Sequence, residues 1–157
     1  METDLNFQRA GSVSNAHVGR AFELLAQQVL LSESIKVAQD YPLELGVGRA
    51  KKYHAFDLGC AKQKIIVECK SHRWTSGDKV PSAKLTVWNE AMYYFHLAPL
   101  DYRKIMFVSH HVSEKRGISL AEYYREKYYH LIPEDVEFWE FNEIDQTFRV
   151  THSKARI

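Results

Sequence analysis

Apolar positions fall at helical spacing early in the chain, where Val18, Ala21, Phe22, Leu25 and Val29 trace one face of a helix over about residues 14–31, with Ser14 as its N-cap. Short extended runs follow near residues 43–45, 52–58 and 64–70, and β-branched residues become dense only in the last of them. A polar loop over residues 71–82 holds Gly77 and Pro81 and ends at Ser82, placed to cap a helix that runs to about His96. Leu85, Trp88, Met92 and Phe95 form the apolar stripe of that helix, and Pro99 lies just past its end. The run 104–109 reads as a buried strand. Ser119 and Glu122 form a capping box that opens a tyrosine-rich helix to about His130. Residues 136–141 then alternate Val136, Phe138 and Glu140 with Glu137, Trp139 and Phe141, so both faces of a last strand carry bulk. Helix, three strands, helix, strand, helix, strand is an α/β layered order, hairpin-like early and with a helical crossover later.

A chain of 157 residues with 45% apolar and 26% charged residues predicts one soluble domain, residues 1–157, able to bury a core without disulfides. No apolar run reaches the length a bilayer requires, so no membrane partner is expected. The acidic start lacks a signal pattern, and two cysteines, Cys60 and Cys69, suit a reducing compartment; both point to the cytoplasm. Divided along the chain, the net charge of +1 becomes −3 over residues 1–48, +6 over residues 49–84 and −2 over residues 85–157. The concentrated positive charge favours a polyanion, and hence a nucleic acid, over a small neutral substrate.

Within the basic segment, Asp57 ends one apolar run and Glu68-Cys69-Lys70 ends the next. If the two runs form an antiparallel hairpin turning at Lys62-Gln63, paired residue numbers sum to 125 and Asp57 faces Glu68. Directly opposed residues share a face with Cβ atoms roughly 5 Å apart, and Lys70 points to the same face about 7 Å along. Two opposed carboxylates repel unless a cation lies between them, and a hard divalent ion with a lysine beside it is suited to phosphodiester hydrolysis. A slip of one residue in register would remove the constellation. Ile65-Ile66-Val67 makes this a buried strand, where an unpaired Glu and Lys are costly.

These residues resemble the PD-(D/E)xK nuclease superfamily, whose restriction-endonuclease-like fold is a three-layer α/β core with a mixed central sheet flanked by helices. The signature is confined to Asp57, Glu68-Cys69-Lys70 and the first helix, and Phe56 stands where a proline often precedes the aspartate. The resemblance implies that Asp57, Glu68 and the backbone carbonyl of Cys69 hold Mg²⁺, with Mn²⁺ a workable substitute, while Lys70 orients or activates the attacking water. It implies an additional glutamate from the first helix, and Gly19-Arg20-Ala21-Phe22-Glu23 nominates Glu23, with Glu44 the other candidate. Asn89-x-x-x-Tyr93 is a partial match to a Gln-x-x-x-Tyr motif of exonuclease-like members and hints at which helix faces the substrate.

The loop after Lys70 interleaves basic and aromatic residues. His72, Arg73, Lys79 and Lys84 are candidates for phosphate contact, and Trp74 either stacks a base or packs as core. Zinc is disfavoured because Cys60, Cys69 and His72 have no compact ligand spacing. His110-His111 reads as a capping or surface pair, with no acidic partner nearby in sequence. The expected function is metal-dependent hydrolysis of DNA by an endonuclease or exonuclease, with RNA left open. A catalytically silent nuclease-fold module for nucleic-acid or partner binding is the other reading. A homodimer or a larger defence or repair assembly is compatible with both, with Phe138, Trp139 and Phe141 as its interface.

Overall fold

Alternation along the strands decides how the chain layers. The computed structural model of the protein describes residues 2–152, and their side chains from residue 16 on. Its elements are α1 (Glu2–Ser32), β1 (Ala38–Leu45), β2 (Lys52–Cys60), β3 (Ile65–Lys70), α2 (Ser82–Leu97), β4 (Arg103–Ser109), α3 (Leu120–Lys127), a 3-10 turn (Tyr129–Leu131), β5 (Val136–Asn142) and β6 (Thr147–His152). The six strands form one sheet in chain order. β1–β2, β2–β3 and β5–β6 pair antiparallel, while β3–β4 and β4–β5 pair parallel through the α2 and α3 crossovers. This is an α/β protein with a mixed sheet.

Both faces of the central strands are apolar, so each face takes a helical cover. Ile66, Met106, Val108, Val136 and Phe138 pack with Leu85, Trp88, Met92 and Phe95 of α2 and with Leu120 and Tyr124 of α3. The alternate residues Val67, Ile105, Phe107, Trp139 and Phe141 pack with Phe22, Ala26 and Leu30 of α1. Phe138, Trp139 and Phe141 are therefore core, between 0% and 3% exposed, and are not a surface on which a second subunit could dock.

Several elements depart from the sequence expectation. The first helix begins at Glu2, so Ser14 lies within it rather than at its N-terminus, and the Ser14 side chain is outside the described residues. Its buried stripe is Phe22, Ala26 and Leu30, with Ala21 and Val18 facing solvent. Ser82 is the first helical residue of α2; the N-cap is Pro81, with no side-chain cap. Ser119 does cap α3 through a reciprocal box with Glu122, but α3 stops at Lys127 and passes into the 3-10 turn. β1 starts at Ala38, five residues before the expected run, and β6 was not expected at all: its alternation is confined to Phe148 and Val150 among polar neighbours, and none of its residues is buried.

Candidate active site

Three pairs of the β2–β3 ladder, Leu58↔Val67, Gly59↔Ile66 and Cys60↔Ile65, follow the register whose numbers sum to 125. The ladder stops there, one pair short of Asp57 and Glu68. The cause lies in β2 itself. Phe56 and Leu58, two residues apart, bury on opposite faces, Phe56 under α2 and Leu58 under α1, so the strand switches faces at Asp57. Asp57 drops out of the β1–β2 pairing as well, together with Asp40 opposite it, which takes a left-handed φ of 53°. Freed from the ladder, the Asp57 carboxylate accepts the backbone N–H of Cys69 at 2.8 Å. Asp57 thus meets β3 through the end of the hairpin rather than face to face with Glu68.

Glu68 keeps the alternation of Ile66 and turns to the α2 face, where it is 5% exposed. Its Oε1 lies 2.9 Å from His54 Nε2, and its Oε2 lies 3.8 Å from Lys70 Nζ. Burial pushes its carboxyl up to about 7; the His54 hydrogen bond and Lys70 pull the other way, and the negative charge of Asp57 adds to the rise. His54 is clamped in turn, its ring stacked on Tyr94 of α2 at 3.7 Å and edge-on to Phe56 at 4.6 Å. Sequence alternation does not find His54, because strict period two sends residues 54 and 57 to opposite faces. The switch at Asp57 is what puts His54 beside Glu68.

The first helix reaches the same place from the other face. Glu23 is part-buried, and burial followed by the nearby Asp57 charge raises its carboxyl, while Arg20 at 3.0 Å opposes the rise. Arg20 also reaches Asp40 at 3.2 Å, tying the helix to the break in β1. Burial first, then the charges of Asp57, Glu68 and Glu23, holds the Cys69 thiol well above its usual range. Glu44 is exposed and pairs with Tyr53 near the hairpin tip, so Glu23 is the acid that joins Asp57. Among the described residues, no three His, Cys, Asp or Glu side chains stand grouped as a metal cage.

The candidate contacts beyond Lys70 scatter. His72 accepts the indole N–H of Trp88 at 2.8 Å, and burial followed by Lys70 and Lys84 lowers it to about 4, so it is neutral at physiological pH. Arg73 pairs with Glu143 at 3.4 Å on the surface. Lys79 is exposed and its carbonyl accepts from Thr75; Lys84 is exposed on the first turn of α2. Trp74 is 6% exposed, against Tyr123 with the Arg116 guanidinium over its ring at 5.0 Å, so it is core and offers no stacking platform. Asn89 accepts the hydroxyl of Tyr124 at 2.8 Å, and Tyr93 lines a groove of about 320 Å³ with His96 and Pro133, so this pair faces α3 and the 3-10 turn rather than Glu68. His110 has the acidic partner that its sequence neighbourhood lacks, Glu140 at 3.1 Å, and His111 accepts the backbone N–H of Trp74.

The arrangement is a buried, raised carboxylate, a second carboxylate coupled to it and a lysine, at the open end of a hairpin in an α/β protein. No family model, no curated protein and no solved structure matches the chain. No helix among the described residues is long and apolar enough to cross a membrane.

Proposed function

We propose that the protein is a Mg²⁺-dependent nuclease of the restriction-endonuclease-like fold that hydrolyses DNA. The observation that carries this reading is Glu68: a nearly buried carboxylate beside Asp57, pushed up to about 7 by burial and by that neighbouring charge, with only one histidine and a distant lysine offsetting the cost. A protein keeps such an under-compensated acid at a cost in stability, and a bound cation removes that cost. The donor set fits magnesium. Mg²⁺ keeps several waters and takes one or two carboxylates, here Asp57 and Glu68 with a main-chain oxygen of β3 and Glu23 as outer acid, so a cage of three side chains is not required. When bound, it supplies polarisation of the scissile phosphate and a lowered pKa for the attacking water.

The chain's own groups do the rest. Lys70, whose Nζ is held loosely by Glu68, is free to turn its charge toward a phosphate oxygen as negative charge develops. His54 fixes one oxygen of Glu68 and leaves the other toward Lys70. A separate observation favours the silent-module reading: Asp57 and Glu68 each already have a protein partner. Incubation of the purified protein with supercoiled, linear and branched DNA, with and without Mg²⁺ and beside Lys70→Ala, decides between them. Magnesium-dependent cleavage lost in the variant supports the nuclease; equal cleavage by the variant, or none under any condition, sinks it.

A further inference from the structure

The tip of the β1–β2 hairpin and the C-terminal half of α2 enclose a cavity of about 410 Å³ whose walls include Val47, His54, Tyr94 and Leu97. His54 belongs to this wall and to the Glu68 site at once, since its ring lies flat on Tyr94 while its Nε2 meets Glu68. Residues 41–56 carry a single acid, Glu44, against Arg49, Lys51 and Lys52, and Lys52 lines the cavity. The turn is held in shape: Lys51 Nζ donates to the Gly46 carbonyl at 3.0 Å, the Ala50 N–H donates to Val47 at 3.0 Å, and a Cβ on Gly46 would lie 1.8 Å from the Ala50 oxygen. A preformed, partly aromatic pocket with a lysine in its wall, opening beside a phosphodiester site, matches one kind of occupant.

We propose that this cavity receives an unpaired nucleobase next to the scissile phosphate, so that the enzyme acts on single-stranded, frayed or flipped nucleotides rather than on intact duplex. The inference rests on the nuclease reading of Glu68. His54 and Tyr94 already stack on each other, so a base extends that pair from its free side, which it can do only after leaving the duplex stack, and a flanking phosphate then falls to Lys52 in the wall. The pocket also takes over the stacking role that Trp74, buried under Arg116, cannot fill.

The test measures binding, in Mg²⁺ and in a Lys70→Ala background, of single-stranded and duplex oligonucleotides carrying a fluorescent adenine analogue. Single strands are expected to bind more tightly, with the analogue quenched by stacking. Leu97→Trp, which fills the cavity and leaves His54 and Glu68 in place, is expected to weaken single-strand binding about tenfold, abolish the quenching and leave duplex binding unchanged. Tyr94→Ala removes the stacking wall and should give the same pattern. Equal affinity of the parent protein for both forms, or equal loss for both in Leu97→Trp, overturns the pocket. Cleavage assays on the same proteins separate the two readings. Magnesium-dependent cutting of duplex that Leu97→Trp does not alter overturns the pocket while the nuclease stands, and equal cutting by wild type and Lys70→Ala removes the nuclease while the binding differences stand.

Discussion

Glu68 and Glu140 are both buried glutamates on the α2/α3 face of the same sheet, 5% and 1% exposed, yet the protein treats them in opposite ways. Glu140 on β5 accepts from Arg149 at 2.9 Å and from the Ser119 hydroxyl at 2.6 Å, and meets His110 at 3.1 Å. Burial alone would raise its carboxyl, but these hydrogen bonds outweigh it and hold the group below its ordinary value. Glu68 on β3 has one histidine and a lysine too far for a good hydrogen bond, and Asp57 repels it, so burial wins. Equal burial therefore does not define a site. What distinguishes the two is whether the surrounding protein has met the demand that burial creates: Glu140 ties β5, β6 and α3 together, whereas Glu68 is left needing a positive charge.

The sharpest way to break this comparison is to remove each acid's cation. Arg149→Met leaves the buried Glu140 carboxylate with Ser119 and His110 alone and, because the arginine is half-exposed, should destabilise the fold by about 2–3 kcal/mol, read as a fall in Tm of roughly 5–10 °C. Lys70→Ala should cost far less stability, because Glu68 already titrates near neutrality, but should lower cleavage by roughly a thousandfold, about 4 kcal/mol of transition-state stabilisation. A Lys70→Ala protein as destabilised as Arg149→Met would mean that Glu68 is structural like Glu140.

Removing the acid's charge should change sign between the two. Glu68→Gln keeps an oxygen for His54 and should raise Tm at pH 8 while abolishing activity. The folded carboxyl of Glu68, about 7, stands above its unfolded value near 4.5, so ionising it costs stability. That penalty is absent below about 4.5, grows as pH rises toward 7 and is constant above, reaching at most about 3 kcal/mol from the size of the shift. Glu140 runs the other way: its lowered carboxyl contributes stability above its unfolded value, lost as pH falls through the folded one. Denaturant melts of wild type, Glu68→Gln and Glu140→Gln across pH check both signs, and a Glu68→Gln advantage independent of pH would contradict the burial account.

The sequence makes the strand pair, the three-pair register and the candidacy of Asp57, Glu68 and Lys70 legible, because Ile65-Ile66-Val67 and the basic segment are local signals. It does not reveal the face switch at Asp57, which comes from the paired break with Asp40 and the demands of two cores; Phe56 is pulled under α2 and Leu58 under α1. His54 is hidden for the same reason, and the Glu140 cluster because its partners lie on three other segments, 9, 21 and 30 residues away along the chain. For Trp74 the sequence leaves base stacking and core packing both open, and only the fold, which brings Tyr123 and Arg116 against it, decides for core.

The smallest effect tests the comparison most directly, because it asks the folded protein which acid wants a cation. Mg²⁺ binding the native state alone stabilises it by about 1.4 kcal/mol at a tenfold excess over Kd, a Tm rise of a few degrees for a domain of this size. The rise should vanish in Glu68→Gln and in Asp57→Asn, where a ligand loses its charge, and should persist in Glu140→Gln, whose carboxylate is already satisfied by Arg149 and Ser119. The variant proteins would each be compared with their own metal-free melts, so that the stability changes argued above cancel. A shift that survives Glu68→Gln but disappears with Glu140→Gln would relocate the cation to the β5 cluster and reverse the roles of the two glutamates.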